Sequence, residues 1–281
     1  MPCGKCIECK LNYSRRWATD LMLEKLYHEE NSCWFITLTY DDGHIPINTW
    51  VNTETGEYTR GVSLNKRDLQ NFWKTVRYHY RKYYKNHKLT YLNVGEYGSS
   101  ITMRPHYHAI AFSLPINELK LEKIKNNEMG DPVYQCSELE KLWGKGNVIV
   151  GRVTWRSCAY VVRYALKKIK GIDKSFDIKC GRQPEFISMS QGIGRRFYEE
   201  HKEQIINTDS VPVMNAAAPE RFIKWLKTID PEKAEELKRE RTTKAVHGQK
   251  IINTKTNMDA EAQRKAREET IENNFKDIRE V

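Results

Sequence analysis

At 281 residues, with 39% apolar and 30% charged side chains, the chain is long enough to bury a sizeable core as one large domain with appendages or as two small ones. It has no apolar run of membrane-spanning length, and its opening Met-Pro-Cys-Gly-Lys-Cys has no apolar stretch of the secretory kind, so no membrane partner is expected and the chain is assigned to a cytoplasm. The seven cysteines, an odd number, argue against a disulfide framework, and 47 Lys and Arg against 37 Asp and Glu leave a net charge of +10 that suits a polyanionic partner.

The first thirty residues open on Cys3, Cys6 and Cys9, spaced as zinc ligands are, with Cys33, His28 or a cysteine elsewhere to complete a set. A zinc knuckle and a merely reduced terminus are about equally compatible with that spacing. Helical periodicity follows from Ser14, with Trp17, Leu21 and Leu26 as the buried stripe. Trp34 to Tyr40 is β-branched and aromatic, and predicts a strand. Residues 43–62 carry Gly, Pro, Asn and Thr without a period and predict a long loop, with room for a small hairpin near Gly56. Leu69, Phe72, Trp73, Val76 and Tyr80 then mark a helix capped by Asn65 and running toward Asn86.

Strands are predicted over 90–96 and 106–113, joined as an antiparallel pair. Residues 118–127 predict a helix, 136–143 a short helix, and 147–153 a fourth strand. Ser157 is placed to cap a helix that ends at Gly171. Beyond Pro231 the chain holds one aromatic, Phe275, amid dense mixed charge, and predicts solvated helices or a partly disordered tail. Strands broken by helices of this size give an α+β protein with a mainly antiparallel central sheet, helices on its faces and a charged helical C-terminal extension.

Two segments carry chemistry. In Arg104-Pro-His-Tyr-His108 the two imidazoles share one face of a strand, because side chains two apart do so. Glu96, at the end of the preceding strand, is the natural third ligand for a divalent metal with open positions. In Tyr160-Val-Val-Arg-Tyr164-Ala-Leu-Lys-Lys168 two phenols stand one helical turn apart, with Lys167 and Lys168 a turn further. Eight Lys or Arg and no acid lie between Lys141 and Gly171. Among them, Arg152, Arg156 and Arg163 are candidate DNA contacts, and Trp143, Trp155 and the tyrosines are placed to stack on unpaired bases. Arg104 is a further candidate contact. Gly192-Ile-Gly194 offers Arg195 and Arg196 to a phosphate at a helix start, though an ordinary turn explains the same residues. A phenol titrates near ~10, so attack on phosphorus at neutral pH needs positive charge nearby.

Together, Phe35-Ile-Thr-Leu-Thr-Tyr40, Gly95-Glu-Tyr-Gly98 with Arg104–His108, and Tyr160–Tyr164 with its lysines resemble the three motifs of rolling-circle replication initiators of the HUH endonuclease superfamily. With the opening cysteines and Ser190-Gln-Gly-Ile-Gly-Arg195, the resemblance extends to the initiators of small single-stranded DNA phages, the microviruses of gokushovirus type, over roughly residues 1–205. It implies a ferredoxin-like or RRM-like nuclease sheet with the histidine strand central, spanning 31–205 between an N-terminal cysteine and helix segment (1–30) and a charged extension (206–281). It also implies Mg²⁺ or Mn²⁺ on Glu96, His106 and His108, and Tyr160 and Tyr164 as nucleophiles. The implied reaction nicks single-stranded origin DNA in the host cytoplasm, leaves a 5′-phosphotyrosyl link and a 3′-hydroxyl for the host polymerase and helicase, and later rejoins the product. A relaxase or transposase of the same class, and a basic zinc-containing nucleic-acid-binding module without chemistry, are the alternatives.

Overall fold

The computed structural model describes residues 7–51, 55–98, 103–127, 130–169, 182–214 and 216–256, with positions 262 and 265. In chain order the elements are α1 (Ile7–Lys25), β1 (Trp34–Thr39), β2 (Ile47–Val51), β3 (Tyr58–Val62), α2 (Lys66–His79), β4 (Thr90–Tyr97), β5 (Pro105–Phe112), β6 (Leu121–Asn126), β7 (Pro132–Cys136), α3 (Ser137–Trp143), β8 (Val148–Arg152), α4 (Trp155–Ile169) and β9 (Phe186–Met189). Then come α5 (Arg195–Glu200), α6 (Lys202–Thr208), β10 (Ser210–Val211), β11 (Ala216–Ala217), α7 (Glu220–Ile229) and α8 (Pro231–Thr256). Residues 21–193 form one unit, and 1–20 with 194–281 a second.

Alternation along β1 decides the larger unit. Trp34, Ile36 and Leu38 are buried, and their register partners Ala111, Ala109 and Tyr107 on β5 join them against Leu69, Phe72, Trp73 and Val76 of α2 and Leu139 and Trp143 of α3. Each large apolar side chain fully buried there contributes roughly 1.5–3 kcal/mol. Phe35, Thr37 and Thr39 occupy the opposite face of the sheet, which α4 covers over β4, β5 and β9. The sheet has seven strands in the order β6-β7-β8-β1-β5-β4-β9, all neighbours antiparallel, so the α+β class is as expected and β5, which carries the histidines, is central.

Tyr107, between those histidines, points to the α2 face. Its hydroxyl accepts from the Asn65 backbone N–H at 2.7 Å, donates to the Asn65 carbonyl at 2.9 Å, and meets the Tyr40 hydroxyl at 3.0 Å. The Tyr40 hydroxyl donates in turn to Asp68 at 2.9 Å. The histidine strand is thereby tied to the start of α2, where Asn65 accepts from the Arg67 N–H as an N-cap.

Several expectations are corrected. Within residues 43–62 the hairpin expected near Gly56 is present as β2–β3, and it takes up more of the segment than a long loop would leave it. Leu26 is exposed because α1 stops at Lys25, and Leu23 is buried in its place. The helix from Lys66 ends at His79, with a 3₁₀ turn at Tyr83–Lys85 after it. Residues 118–127, read as a helix, form a short 3₁₀ turn and the edge strand β6, exposed along nearly its whole length. A lysine-bearing edge protects the sheet from pairing with other chains. Strands β7 and β9 were not anticipated. Thr154, not Ser157, opens α4: the Ser157 N–H donates to Thr154 Oγ1 and the Thr154 N–H to Ser157 Oγ, a reciprocal capping box.

In the second unit, Trp17, Asp20, Tyr198, Phe222 and Leu226 are buried. The Tyr198 hydroxyl donates to Asp20, and Arg221 lies 3.6 Å from the same carboxylate and 3.9 Å over the Trp17 ring. Burial pushes the Asp20 carboxyl up to about 7, partly offset by the Tyr198 hydrogen bond and Arg221. A raised native value means the folded chain holds this proton more tightly than the unfolded one. Its contribution is therefore full below 3.8 and is lost as pH rises through about 7. At about 1.4 kcal/mol per pH unit the change is up to about 4 kcal/mol. Asp20→Asn keeps an acceptor for Tyr198 and is expected to flatten this dependence, with thermal melts at pH 4 and pH 8 as the check. The described part of the charged C-terminal segment is helical, one of the two states expected for it, with Ala234 and Leu237 of α8 buried.

Candidate active site

Hairpin register assembles the first half of the site. Glu96 on β4 lies opposite His106 on β5, and Val94 opposite His108, so Glu96, His106 and His108 share the α4-side face. Glu96 and His108 are 6% and 7% exposed, and His108 Nε2 is 3.1 Å from Glu96 Oε1. The other ring nitrogen, Nδ1, meets Thr37 Oγ1 at 3.0 Å, which fixes the orientation of the imidazole. Glu96 Oε2 is buried without a hydrogen-bond partner among the described residues. Gly95 beside it is required by packing: a Cβ there would lie 2.6 Å from the Phe186 ring on β9.

Helix α4 supplies the other half. Cys158, Ala159, Val161 and Val162 are buried and hold the helix down, while Tyr160 between them is 42% exposed. Its ring stands edge-on to His108, 6.0 Å between centroids at 85°, and edge-on to Phe35 at 6.2 Å. Phe35 is itself stacked on His108 at 5.8 Å. Imidazole and phenol, 52 positions apart in the chain, are thus brought together by the fold. Arg156 is exposed one turn before Tyr160. Arg163, Tyr164, Lys167 and Lys168 continue α4, their side chains lying outside the described residues.

Among the described residues no group of three or more His, Cys, Asp or Glu side chains is arranged to hold a metal ion. The donors nevertheless suit a divalent ion: a buried carboxylate with one oxygen unpartnered, an imidazole nitrogen already turned to it, and a second imidazole in register on the same face. Thr37 and Phe35 were not singled out by the sequence. The signal was there, since both alternate onto the histidine face of β1.

The remaining candidates are distributed elsewhere. Arg104 donates to the Tyr40 carbonyl at 2.8 Å and pairs with Asp42 at 2.6 Å. Arg152 lies on the opposite face of the sheet from Tyr160, 4.4 Å over the Trp34 ring and 2.8 Å from Glu118. Arg195 and Arg196 belong to the second unit and pair with Glu199 and Glu200. Cys3 and Cys6 lie outside the described residues, and Cys9 is half-buried on α1. Of the two fourth-ligand candidates, Cys33 is buried with its thiol pushed up to about 11 by burial, against thiolate formation. His28 is held by Ser113 and Glu24 and stacked on Phe112.

The model of the family replication-associated protein ORF2/G2P matches residues 33–169, the stretch from β1 through α4 that carries every residue of this site. Replication-associated protein ORF2 of Spiroplasma virus 4 is 31% identical over 224 residues, covering 79% of this chain and 64% of that protein. Replication-associated protein VP4 of Bdellovibrio phage phiMH2K is 31% identical over 248 residues, covering 83% and 69%. Replication-associated protein ORF4 of Chlamydia phage 1 is 32% identical over 214 residues, covering 75% and 49%. The chain thus spans about half to two thirds of the length of these relatives. No solved structure matches the chain, and no described helix is long and apolar enough to cross a membrane.

Proposed function

The chain belongs to the replication-associated protein ORF2/G2P family, and from that premise we propose that it is a metal-dependent, site-specific single-stranded DNA endonuclease and strand transferase that initiates rolling-circle replication. One observation carries this: the Tyr160 ring sits 6.0 Å from His108, whose imidazole is hydrogen-bonded to the buried Glu96.

The Tyr160 oxygen attacks a backbone phosphorus, its proton passing to solvent. A bond forms from the phenol oxygen to phosphorus, and the bond from phosphorus to the 3′-oxygen breaks. The products are a 5′-phosphotyrosyl link and, once the departing oxygen is protonated, a 3′-hydroxyl. Glu96, His106 and His108 would hold Mg²⁺ or Mn²⁺, which would supply stabilisation of the negative charge that develops on the phosphoryl oxygens. Thr37 keeps His108 Nε2 directed into the site, Phe35 fixes the plane of the same ring, and Arg156 adds a positive charge on the Tyr160 face of α4. Tyr164 serves as the second nucleophile and Lys167 and Lys168 as charge partners, by their place on the helix. Origin DNA, the host polymerase and helicase, and a host-cytoplasmic setting complete the proposal.

Incubation with labelled single-stranded origin DNA and Mn²⁺ tests it. A covalent adduct that disappears on chelation is expected, and DNA that is bound but never linked would leave only a binding protein. Thr37→Val is expected to weaken divalent-ion affinity by about 10-fold, with Thr37→Ser restoring it, as read by calorimetric titration of the metal.

A further inference from the structure

A second acid-free basic segment lies far from Tyr160. Between Leu69 and Gly95 there are six Lys or Arg (74, 77, 81, 82, 85 and 88), five tyrosines and no Asp or Glu. The fold gathers most of these at the end of α2 and the 3₁₀ turn after it. Arg77, Tyr78, Arg81, Lys82, Lys85, His87 and Lys88 are all exposed, Tyr78 to 70%. None of the five cations in this group forms an ion pair with a carboxylate among the described residues, whereas many of the other described cations do. The acids that approach its rim are Glu138, paired with His79, and Glu29 near Tyr83.

The aromatic groups in the cluster are presented as flat plates. Tyr83 and His87 stack at 4.0 Å and 5°, the Arg81 guanidinium lies 4.7 Å over Tyr78, and Arg77 lies 5.5 Å over Tyr91, which is stacked on Trp73 at 4.5 Å. Charge alone would suit any polyanion. The exposed Tyr78 and His87 rings, set between cations that have no carboxylate partner among the described residues, suit one whose bases are free to stack. We propose that this surface is a second, metal-independent binding site for single-stranded DNA. It is distinct from the tyrosine site because Tyr83 sits by Ser113, just past the last residue of β5, whereas His106 sits at that strand's start. At about 3.3 Å per residue the two are about 20 Å apart. The site rests on the reading that DNA is this protein's substrate, and its task is to hold the strand on one side of the cut while Tyr160 works on the phosphate.

The test uses the full chain without divalent ion and fluorescence anisotropy on two oligonucleotides, one of about 8 nucleotides spanning only the cleavage site and one of about 25. The variant Arg81→Ala/Lys82→Ala/Lys85→Ala/Lys88→Ala changes only exposed side chains. It is expected to weaken binding of the longer strand by about 100-fold at low salt, to flatten its salt dependence by about 3 logarithmic units per decade, and to leave the short strand unaffected. Tyr78→Ala is expected to weaken the longer strand by about 10-fold but not a strand of equal charge whose outer nucleotides are abasic. An unchanged salt slope in the quadruple variant overturns the site. So does equal weakening of normal and abasic strands by Tyr78→Ala, or displacement of the DNA by polyglutamate of equal charge, either of which marks a surface for an acidic protein. Failure of the parent protein to cleave the short origin strand when Mn²⁺ is added would count against the nuclease proposal and leave these binding results standing.

Discussion

Phenylalanine at position 160 is expected to abolish the covalent protein–DNA adduct, with cleavage falling at least about 10³-fold, because the only atom lost is the attacking oxygen. The substituted ring keeps its edge-on contacts with Phe35 and His108, so thermal stability and affinity for uncut single-stranded DNA should stay at parental values. Tyr164→Phe makes the contrast. That variant should still form the adduct in a single turnover and lose the second transfer that rejoins the product. Undiminished adduct in the Tyr160→Phe protein would instead give the first cut to Tyr164. Undiminished adduct in the double variant would remove both phenols from the chemistry.

The second large effect concerns Glu96, where stability and activity should part company. Its carboxylate is buried, hydrogen-bonded to His108 through one oxygen and unpartnered at the other. A buried polar atom left in this state typically costs about 1–3 kcal/mol. Glu96→Gln exchanges the buried carboxylate for a neutral amide, so in chelator the melting temperature should be unchanged or higher, while nicking falls at least about 10²-fold. Divalent ion at about 100 times its dissociation constant should stabilise the parental protein by about 2.7 kcal/mol and the variant by far less. A variant stabilised by the ion as strongly as its parent would dissociate Glu96 from metal binding. Such a split, with stability given up to keep a charged group in place, is what a functional site in an otherwise well-packed sheet produces.

Most of this site could be read from the chain because its parts obey local rules. The two-residue period placed His106 and His108 on one face, and a short antiparallel connection placed Glu96 beside them, both before any coordinates. The 3.6-residue period put Tyr160 and Tyr164 on one face of a helix, and the family resemblance alone implied that this helix packs over the histidine strand. Thr37 and Phe35 could be read only once β1 was known to lie beside β5, since nothing in Phe-Ile-Thr-Leu-Thr says which strand will neighbour it. For residues 118–127 the pattern itself misled: Leu-Glu-Lys-Ile-Lys is made of good helix formers, and pairing with β7 overrode propensity to make it a sheet edge. The chain also did not reveal that Arg152, counted with the basic stretch around the tyrosines, would point through the sheet to Trp34, because a residue's face is set by strand register and not by its neighbours in sequence.

Four apolar anchors around Tyr160 have a mechanical consequence. Rolling α4 to carry a phosphate linked to Tyr160 would lift Cys158, Ala159, Val161 and Val162 into water, at roughly 25 cal/mol for each Å² of apolar area uncovered. On the proposed mechanism Tyr160 is thus a fixed post, and a strand joined to it would be moored there. Exchange of one DNA end for another would then have to come from slack in the polymer, which would make the length of free nucleic acid between successive cuts, more than any motion of the protein, the quantity that sets the pace of rejoining.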